Sequence, residues 1–172
     1  GGVSAPGDQT MRNSWFQHWM EAARHAAQMS TCAGGRKVGA VFIRNNRLVS
    51  TGFNGVPAKY PHPLVCLRKE AGIPSGEKLE MCGCAHAEAN GIANAAREGV
   101  SLKDTTVYCT TEPCAMCMGA LANVGVTEVV YEAPYHHEMS VSIAQHAGIC
   151  VHKYIEVAGR GMLELTGQEC DR

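Results

Sequence analysis

Two short motifs contain the residues best suited to chemistry: His-Ala-Glu at 86–88 and Pro-Cys-Ala-Met-Cys at 113–117. Cysteines at i and i+3 share one face of a helix, so Cys114 and Cys117 can reach the same ion. The proline before them favours a helix start, and a helix N-terminus lowers the pKa of a thiol toward the thiolate that zinc needs. His86 supplies a third ligand. Three protein ligands leave one coordination position for water, as in catalytic rather than structural zinc sites.

Glu88 is the candidate for proton transfer. It lies two residues after His86 and so points in a different direction around a helix, beside the ion rather than among its ligands. Zinc lowers the pKa of bound water to about 7, and a neighbouring carboxylate can accept the released proton. Either motif alone is a weak signal, since an isolated C-x-x-C is often half of a structural zinc site. Together, H-x-E and P-C-x-x-C form the signature of zinc-dependent nucleobase deamination.

The bulk composition indicates one folded domain acting on a small molecule. The chain has 172 residues, of which 45% are hydrophobic and 18% charged, with a net charge of -1. This balance favours a globular fold over disorder. It provides no broad basic surface for a nucleic-acid polymer, and three Phe, two Trp and five Tyr are few for a base-stacking platform. One or two local cations would be enough for a small anionic substrate.

The cellular location is predicted from the lack of a membrane-spanning run and of signal-peptide features in the sequence. No apolar run approaches the roughly 20 residues of a membrane helix, and residues 1–10 lack the basic and apolar regions of a signal peptide. We therefore expect a cytoplasmic protein with no membrane partner. In a reducing compartment, nine cysteines indicate metal binding or catalysis rather than disulfides.

The elements that position the two motifs follow from apolar periodicity. Helical spacing predicts four helices, at 13–31, 86–98, 114–124 and 140–147. Apolar runs predict strands at 38–43, 47–52, 105–110, 127–131 and 149–155. Alternating strands and helices predict a three-layer α/β/α domain with a five-stranded mixed sheet, parallel apart from an opening hairpin. We expect a flexible N-terminal tail at 1–12, the domain at 13–157, with an insert at 53–84, and a C-terminal tail at 158–172.

Several further segments resemble deoxycytidylate deaminases, which belong to the cytidine deaminase-like superfamily. The resemblance covers about 13–155 and is carried by the segments Ser30-Thr-Cys32, Lys37-Val-Gly-Ala-Val41, Thr51-Gly-Phe-Asn-Gly55, Cys66-Leu-Arg68, Gly72-Ile-Pro-Ser-Gly-Glu77 and His86-Ala-Glu-Ala-Asn90. It implies conversion of dCMP to dUMP and ammonia, a step that supplies dTTP synthesis. It also implies a homo-oligomer, a hexamer or a dimer, activated by dCTP and inhibited by dTTP.

The resemblance also implies substrate contacts. Asn54 matches an asparagine that holds the sugar, although Asn-Gly at this point is also a common turn pair. Tyr135 matches a tyrosine on the substrate side, with a surface loop residue as the alternative. Arg36 and Lys37 precede the first strand and offer positive charge for a phosphate; a solvated loop pair is the alternative.

A second metal site is suggested by cysteines outside the two motifs. Some members of the family hold a structural zinc in this region, and four cysteines lie at the end of the first helix and in the insert: Cys32, Cys66, Cys82 and Cys84. A metal would stabilise an insert with little apolar material. Cys82 and Cys84 are only one residue apart, which is awkward for one tetrahedral ion, so His62 is an alternative ligand. Buried free thiols are the competing interpretation.

Two departures from the family pattern leave alternatives open. The run from Thr111 to Ala120 is more similar to guanine and tRNA adenosine deaminases, so guanine, cytidine or tRNA adenosine is the alternative substrate. Pro61-His62-Pro63 stands where family members often have Pro-His-Cys. A non-catalytic, zinc-stabilised binding module is an alternative of another class, but such a module would have no use for Glu88 beside an open coordination position.

Overall fold

A computed structural model of the chain describes residues 12–164 and Cys170. The predicted N-terminal tail lies outside the described residues except for Arg12. None of the described helices has the length and apolar character needed to cross a membrane.

Five α-helices and six strands form the described chain. The helices are α1 (Trp15–Ala27), α2 (Leu67–Glu70), α3 (Ala87–Glu98), α4 (Ala115–Asn123) and α5 (Glu138–Ala147), with a 3-10 turn at Leu79–Met81. The strands are β1 (Gly39–Arg44), β2 (Arg47–Phe53), β3 (Thr106–Thr111), β4 (Glu128–Ala133), β5 (Cys150–Val157) and β6 (Arg160–Leu163). Their order in the sheet is β2-β1-β3-β4-β5-β6.

The sheet has a core on each face. Helix α1 begins at Ser14, whose hydroxyl accepts a hydrogen bond from the Gln17 amide, and buries Trp19, Met20 and Ala23 against one face. The opposite face carries the larger cluster, to which α3, α4 and α5 contribute apolar side chains. Strand β1 lies between these layers with five of its six residues buried, which is why its sequence is a nearly continuous apolar run.

Strand directions bring the predicted site residues to one edge of the sheet. β1 is antiparallel to both β2 and β3, and β3, β4 and β5 are parallel to one another. The carboxyl ends of β2, β3 and β4 therefore lie at the same edge, where β1 begins. A bridge between Gly55 and Ala85 returns the end of the insert to the end of β2, so α3 begins at this edge as well.

The prediction of five strands was wrong. β6 pairs antiparallel with β5, with Tyr154 opposite Leu163, and it is formed by residues that we expected to belong to a C-terminal tail. Ala158 and Gly159 both have positive φ, 50° and 75°, as in the tight hairpin turns whose backbone twist matches that of the strands. Leu163 packs against the α1 side of the core. The turn lacks the Asn-Gly or Asp-Gly pair that makes such hairpins recognisable in a sequence.

The expectation that the cysteines form no disulfide is also corrected. Cys150, at the start of β5, is bonded to Cys170. The seven other cysteines are free thiols, and they include every cysteine that we predicted as a metal ligand.

Candidate metal centre and active site

The three predicted zinc ligands converge at the starts of two helices. His86 is the N-cap of α3 and Cys114 the N-cap of α4. His86 Nδ1 lies 3.5 Å from Cys114 Sγ and 3.4 Å from Cys117 Sγ. All three donor atoms lie within 4.8 Å of one another.

This donor set fits zinc. Zn–S and Zn–N bonds of about 2.3 and 2.05 Å at a tetrahedral angle give an N···S separation of about 3.6 Å, close to both separations in the structure. One imidazole and two thiolates are also ligands that zinc prefers. Three such ligands form the open type of site found in zinc enzymes.

One of the two thiols, that of Cys114, favours the charged form even without a cation. A hydrogen bond from Cys117, reinforced by His86, lowers the pKa of Cys114 to about 4. The same hydrogen bond raises the pKa of Cys117, because the pair holds one proton between its two sulfurs. The hydrogen bond to Cys114 in turn raises the pKa of His86. A divalent cation at this point would replace that shared proton and favour both thiolates.

Glu88 lies in the first turn of α3 and is only 4% exposed. Burial is the main cause of its raised pKa, and a hydrogen bond with Cys117 opposes the shift. Cys109 of β3 is fully buried and also hydrogen-bonds to Glu88, although burial is the main cause of the raised pKa of that thiol. No sequence pattern predicts this contact, because Cys109 and Glu88 lie far apart along the chain.

Asn54 is buried directly after β2, and its side chain is hydrogen-bonded to the segment before β1. Its Oδ1 accepts a hydrogen bond from the Val38 amide at 2.8 Å, and its Nδ2 donates to the Arg36 carbonyl at 2.8 Å. Both contacts are to backbone atoms. Asn54 therefore positions the segment that carries Arg36 and Lys37.

Arg36 and Lys37 line a cavity of about 360 Å³ at the edge of the sheet. Thr110 and Thr111, from the end of β3, line it as well. The Thr111 hydroxyl is buried and has no hydrogen-bond partner among the described residues. The cavity also contains Arg24, which forms an ion pair with Glu132. The zinc ligands do not line this cavity.

Tyr135 follows β4 at the same edge and is 41% exposed. Its backbone amide donates a hydrogen bond to Glu112 Oε2 at 2.9 Å. Its hydroxyl reaches the insert, where a Cβ added to Gly76 would lie 2.9 Å from the hydroxyl oxygen. The structure thus places Tyr135 between the end of β3 and the insert.

Three of the four insert-region cysteines form a second cluster. The sulfur atoms of Cys32, Cys82 and Cys84 lie within 4.8 Å of one another, so the single residue between Cys82 and Cys84 does not keep them apart, contrary to our expectation. Cys66 is not in this cluster; it packs against Gly34, where an added Cβ would lie 3.1 Å from its sulfur. His62 is exposed and also outside the cluster. Burial, reinforced by Cys32, raises the pKa of Cys84 to about 12.

The fold and the site define an α/β domain with an open His-Cys-Cys metal centre beside a buried carboxylate. Residues 13–133 match the sequence model of the family described as the cytidine and deoxycytidylate deaminase zinc-binding region. The chain belongs to this family.

Its relatives include several deoxycytidylate deaminases. The chain is 37% identical to the Schizosaccharomyces pombe deoxycytidylate deaminase over 84% of its own length, but it spans only 45% of that protein. It is 36% identical to the deoxycytidylate deaminase of Mycobacterium phage D29, over 70% of this chain and 95% of the phage protein. Among solved structures, the dCMP deaminase of cyanophage S-TIM5 in complex with dCMP and dUMP matches with a TM-score of 0.66 and 28% identity, over 80% of this chain and 94% of the other.

Proposed function

We propose that this protein catalyses the hydrolytic deamination of dCMP to dUMP and ammonia, a step in the supply of dTTP. The observation that carries the proposal is the convergence of His86, Cys114 and Cys117 beside the buried Glu88. The S-TIM5 relative, solved with dCMP and dUMP, supports this choice of substrate.

Glu88 performs the proton transfers of the reaction. A zinc ion held by His86, Cys114 and Cys117 would supply the Lewis acidity that makes water nucleophilic near neutral pH. Glu88 accepts a proton from the attacking water and passes it to the ring nitrogen N3 of cytosine. The water oxygen bonds to C4, and Glu88 then moves the proton of the new C4 hydroxyl to the exocyclic amine. The C4–N bond breaks, ammonia leaves, and the C4 carbonyl of dUMP forms. Burial brings the carboxyl pKa upward, toward the operating pH, where a group serves both as base and as acid.

Residues at the same sheet edge hold the nucleotide. Arg36 and Lys37 are exposed cations that line the edge cavity together with the unpartnered Thr111 hydroxyl, and we assign them to the 5′-phosphate. Asn54 uses one amide N–H and one acceptor lone pair of Oδ1 for its backbone contacts, which leaves one of each for the sugar. Tyr135 covers the substrate from the side of the insert.

The cysteines of the insert region hold a second, structural zinc in this proposal. Three clustered sulfurs are provided by Cys32, Cys82 and Cys84, with Cys66 as the fourth ligand after a small shift and His62 as the alternative. The raised pKa of Cys84 means that this thiol would lose its proton near neutral pH only when a cation is bound. Such an ion would tie the end of α1 to the chain directly before His86.

The protein acts as a cytoplasmic homo-oligomer, a hexamer or a dimer, regulated by dCTP and dTTP. Support for self-association comes from α4, where Met116 is 81% exposed in the first turn of an apolar helix. Support for a reducing location comes from Cys114 and Cys117, which are free thiols and must stay reduced to bind zinc; the Cys150–Cys170 disulfide is the one observation that does not fit such a location.

Ammonia release from a panel of substrates tests the proposed function. The panel contains dCMP, dCTP, deoxycytidine, cytidine, guanine and tRNA with a target adenosine. We expect dCMP to have the highest kcat/KM, with Glu88→Ala as the inactive control that retains zinc. Faster turnover of guanine or tRNA adenosine would assign the alternative base. No turnover of any substrate by zinc-loaded protein would favour a non-catalytic binding module.

A further inference from the structure

Glu112 has no assigned role in the reaction, yet its carboxylate is buried beside the metal centre. Its residue is 8% exposed and lies between β3 and Pro113, two positions before the ligand Cys114. The Glu112 amide donates a hydrogen bond to the Ala133 carbonyl at 2.9 Å, and its side-chain Oε2 accepts from the Tyr135 amide at 2.9 Å. One residue thus joins the chain leading to a zinc ligand to the segment that carries Tyr135.

The backbone contact alone already continues the pairing of β3 with β4, in which Thr111 lies opposite Ala133. The Glu112 side chain adds a second contact, the hydrogen bond from the Tyr135 amide. Burying a polar side chain is costly, and a hydrogen bond to a single amide offsets only part of that cost. An uncharged acceptor or water could satisfy the amide of an exposed loop at a lower cost. The buried Glu112 side chain instead fixes one particular amide, that of Tyr135.

The hydroxyl end of Tyr135 lies close to the insert. Its hydroxyl lies against Gly76 in the insert, a position with φ of 88° at which an added Cβ would lie 2.9 Å from the hydroxyl oxygen. The backbone of Tyr135 is thus tied to the end of β3, and its hydroxyl rests on the insert. The amide of Tyr135 is therefore fixed by Glu112, and its hydroxyl lies close to the insert, at the edge of the sheet where the predicted metal ligands lie.

We propose that Glu112 is a positioning residue, which fixes the Tyr135 side chain toward the substrate through a hydrogen bond to the Tyr135 amide. This inference rests on the proposed function for the substrate role of Tyr135. It makes Glu112 part of substrate binding without contact to the substrate. Loss of the carboxylate releases Tyr135 and weakens ground-state binding of dCMP, while the zinc ligands and Glu88 stay in place.

The test compares Glu112→Ala with Glu112→Gln, which keeps an acceptor oxygen of the same reach. We expect Glu112→Ala to speed hydrogen exchange of the Tyr135 amide about tenfold or more, the scale of a lost charge-assisted hydrogen bond. Exchange of the Met118 amide, which is bonded to the Cys114 carbonyl in α4, is the internal control and should not change. Glu112→Gln should restore most of the protection.

Kinetics supply the second readout. We expect kcat/KM for dCMP to fall about ten- to a hundredfold in Glu112→Ala, mainly through KM and with zinc content unchanged. Glu112→Gln should recover most of this loss, and Tyr135→Ala should resemble Glu112→Ala. Unchanged Tyr135 exchange in Glu112→Ala, or faster exchange with wild-type KM, would overturn the inference. The exchange measurement needs no substrate, so it decides whether Glu112 holds Tyr135 even if the protein proves inactive on dCMP.

Discussion

Gly52→Ala is the substitution that most directly tests how the fold positions the active site. Helix α3 lies so close to β2 that a Cβ on Gly52 would meet the Ala87 carbonyl oxygen at 2.1 Å and the Gly91 amide nitrogen at 2.4 Å. Ordinary van der Waals contact begins at 3.4 Å. The helix or the strand must therefore move by about 1.3 Å, since both contacts are to backbone atoms that no rotamer change can relieve.

The displaced segment is the start of α3, which contains residues proposed for zinc binding and proton transfer. Ala87 stands between the ligand His86 and the proton-transfer residue Glu88. A misplacement of about 1 Å can cost about a hundredfold in rate, and overpacking costs about 1–3 kcal/mol of stability. We expect Gly52→Ala to lose both stability and about a hundredfold in kcat, with weaker zinc binding.

Gly39→Ala is the matched control. A Cβ on Gly39 would meet the Ala23 carbonyl oxygen at 2.0 Å and the Ala27 amide nitrogen at 2.6 Å, so the steric conflict is as severe. It displaces α1, on the opposite face of the sheet, which carries none of the three predicted catalytic zinc ligands. We expect a similar loss of stability from this variant, with kcat and the content of catalytic zinc retained.

The assay compares thermal unfolding, zinc per chain and initial rates of dCMP deamination for both variants, at a temperature where each is folded. If Gly52→Ala is destabilised as much as Gly39→Ala but keeps wild-type kcat, the close approach of α3 to β2 does not position Glu88. Equal losses of kcat in both variants would likewise refute the reasoning, because a general loosening of the fold would then account for them.

Three further outcomes follow from the site. Glu88→Gln should keep its zinc and lose at least about a hundredfold in kcat; near wild-type turnover would exclude its role in proton transfer. Cys32→Ser should lower the zinc count from two per chain to one and reduce the melting temperature, whereas a count of one in the wild-type protein would identify the cluster as ordinary thiols. Lys37→Ala should lower kcat/KM for dCMP by about tenfold or more without affecting deoxycytidine, and equal effects on both substrates would remove the phosphate assignment.

The two motifs of the candidate metal centre could be predicted from the sequence because each of them is local. Cys114 and Cys117 share a helix face through their spacing alone, and His86 and Glu88 belong to one short motif. The alternation of helices and strands was equally accessible, since each element has its own apolar period. β6 was missed because the turn before it is formed by Ala158 and Gly159, whose positive φ values are supported by strand pairing rather than by a typical turn sequence.

Only the tertiary structure shows which contacts the side chains around the metal centre make. Asn54 is a turn residue in sequence, and only the packing of β2 beside the start of β1 gives its side chain two backbone partners. Cys109 of β3 meets Glu88 where helix α3 packs on the sheet, and Glu112 meets Tyr135 beside the pairing of β3 with β4. Such contacts depend on strand order and register, which short-range patterns do not encode. The sequence by itself therefore identified the candidate metal ligands, and the folded chain brought them together and determined what holds them and the groups around them in position.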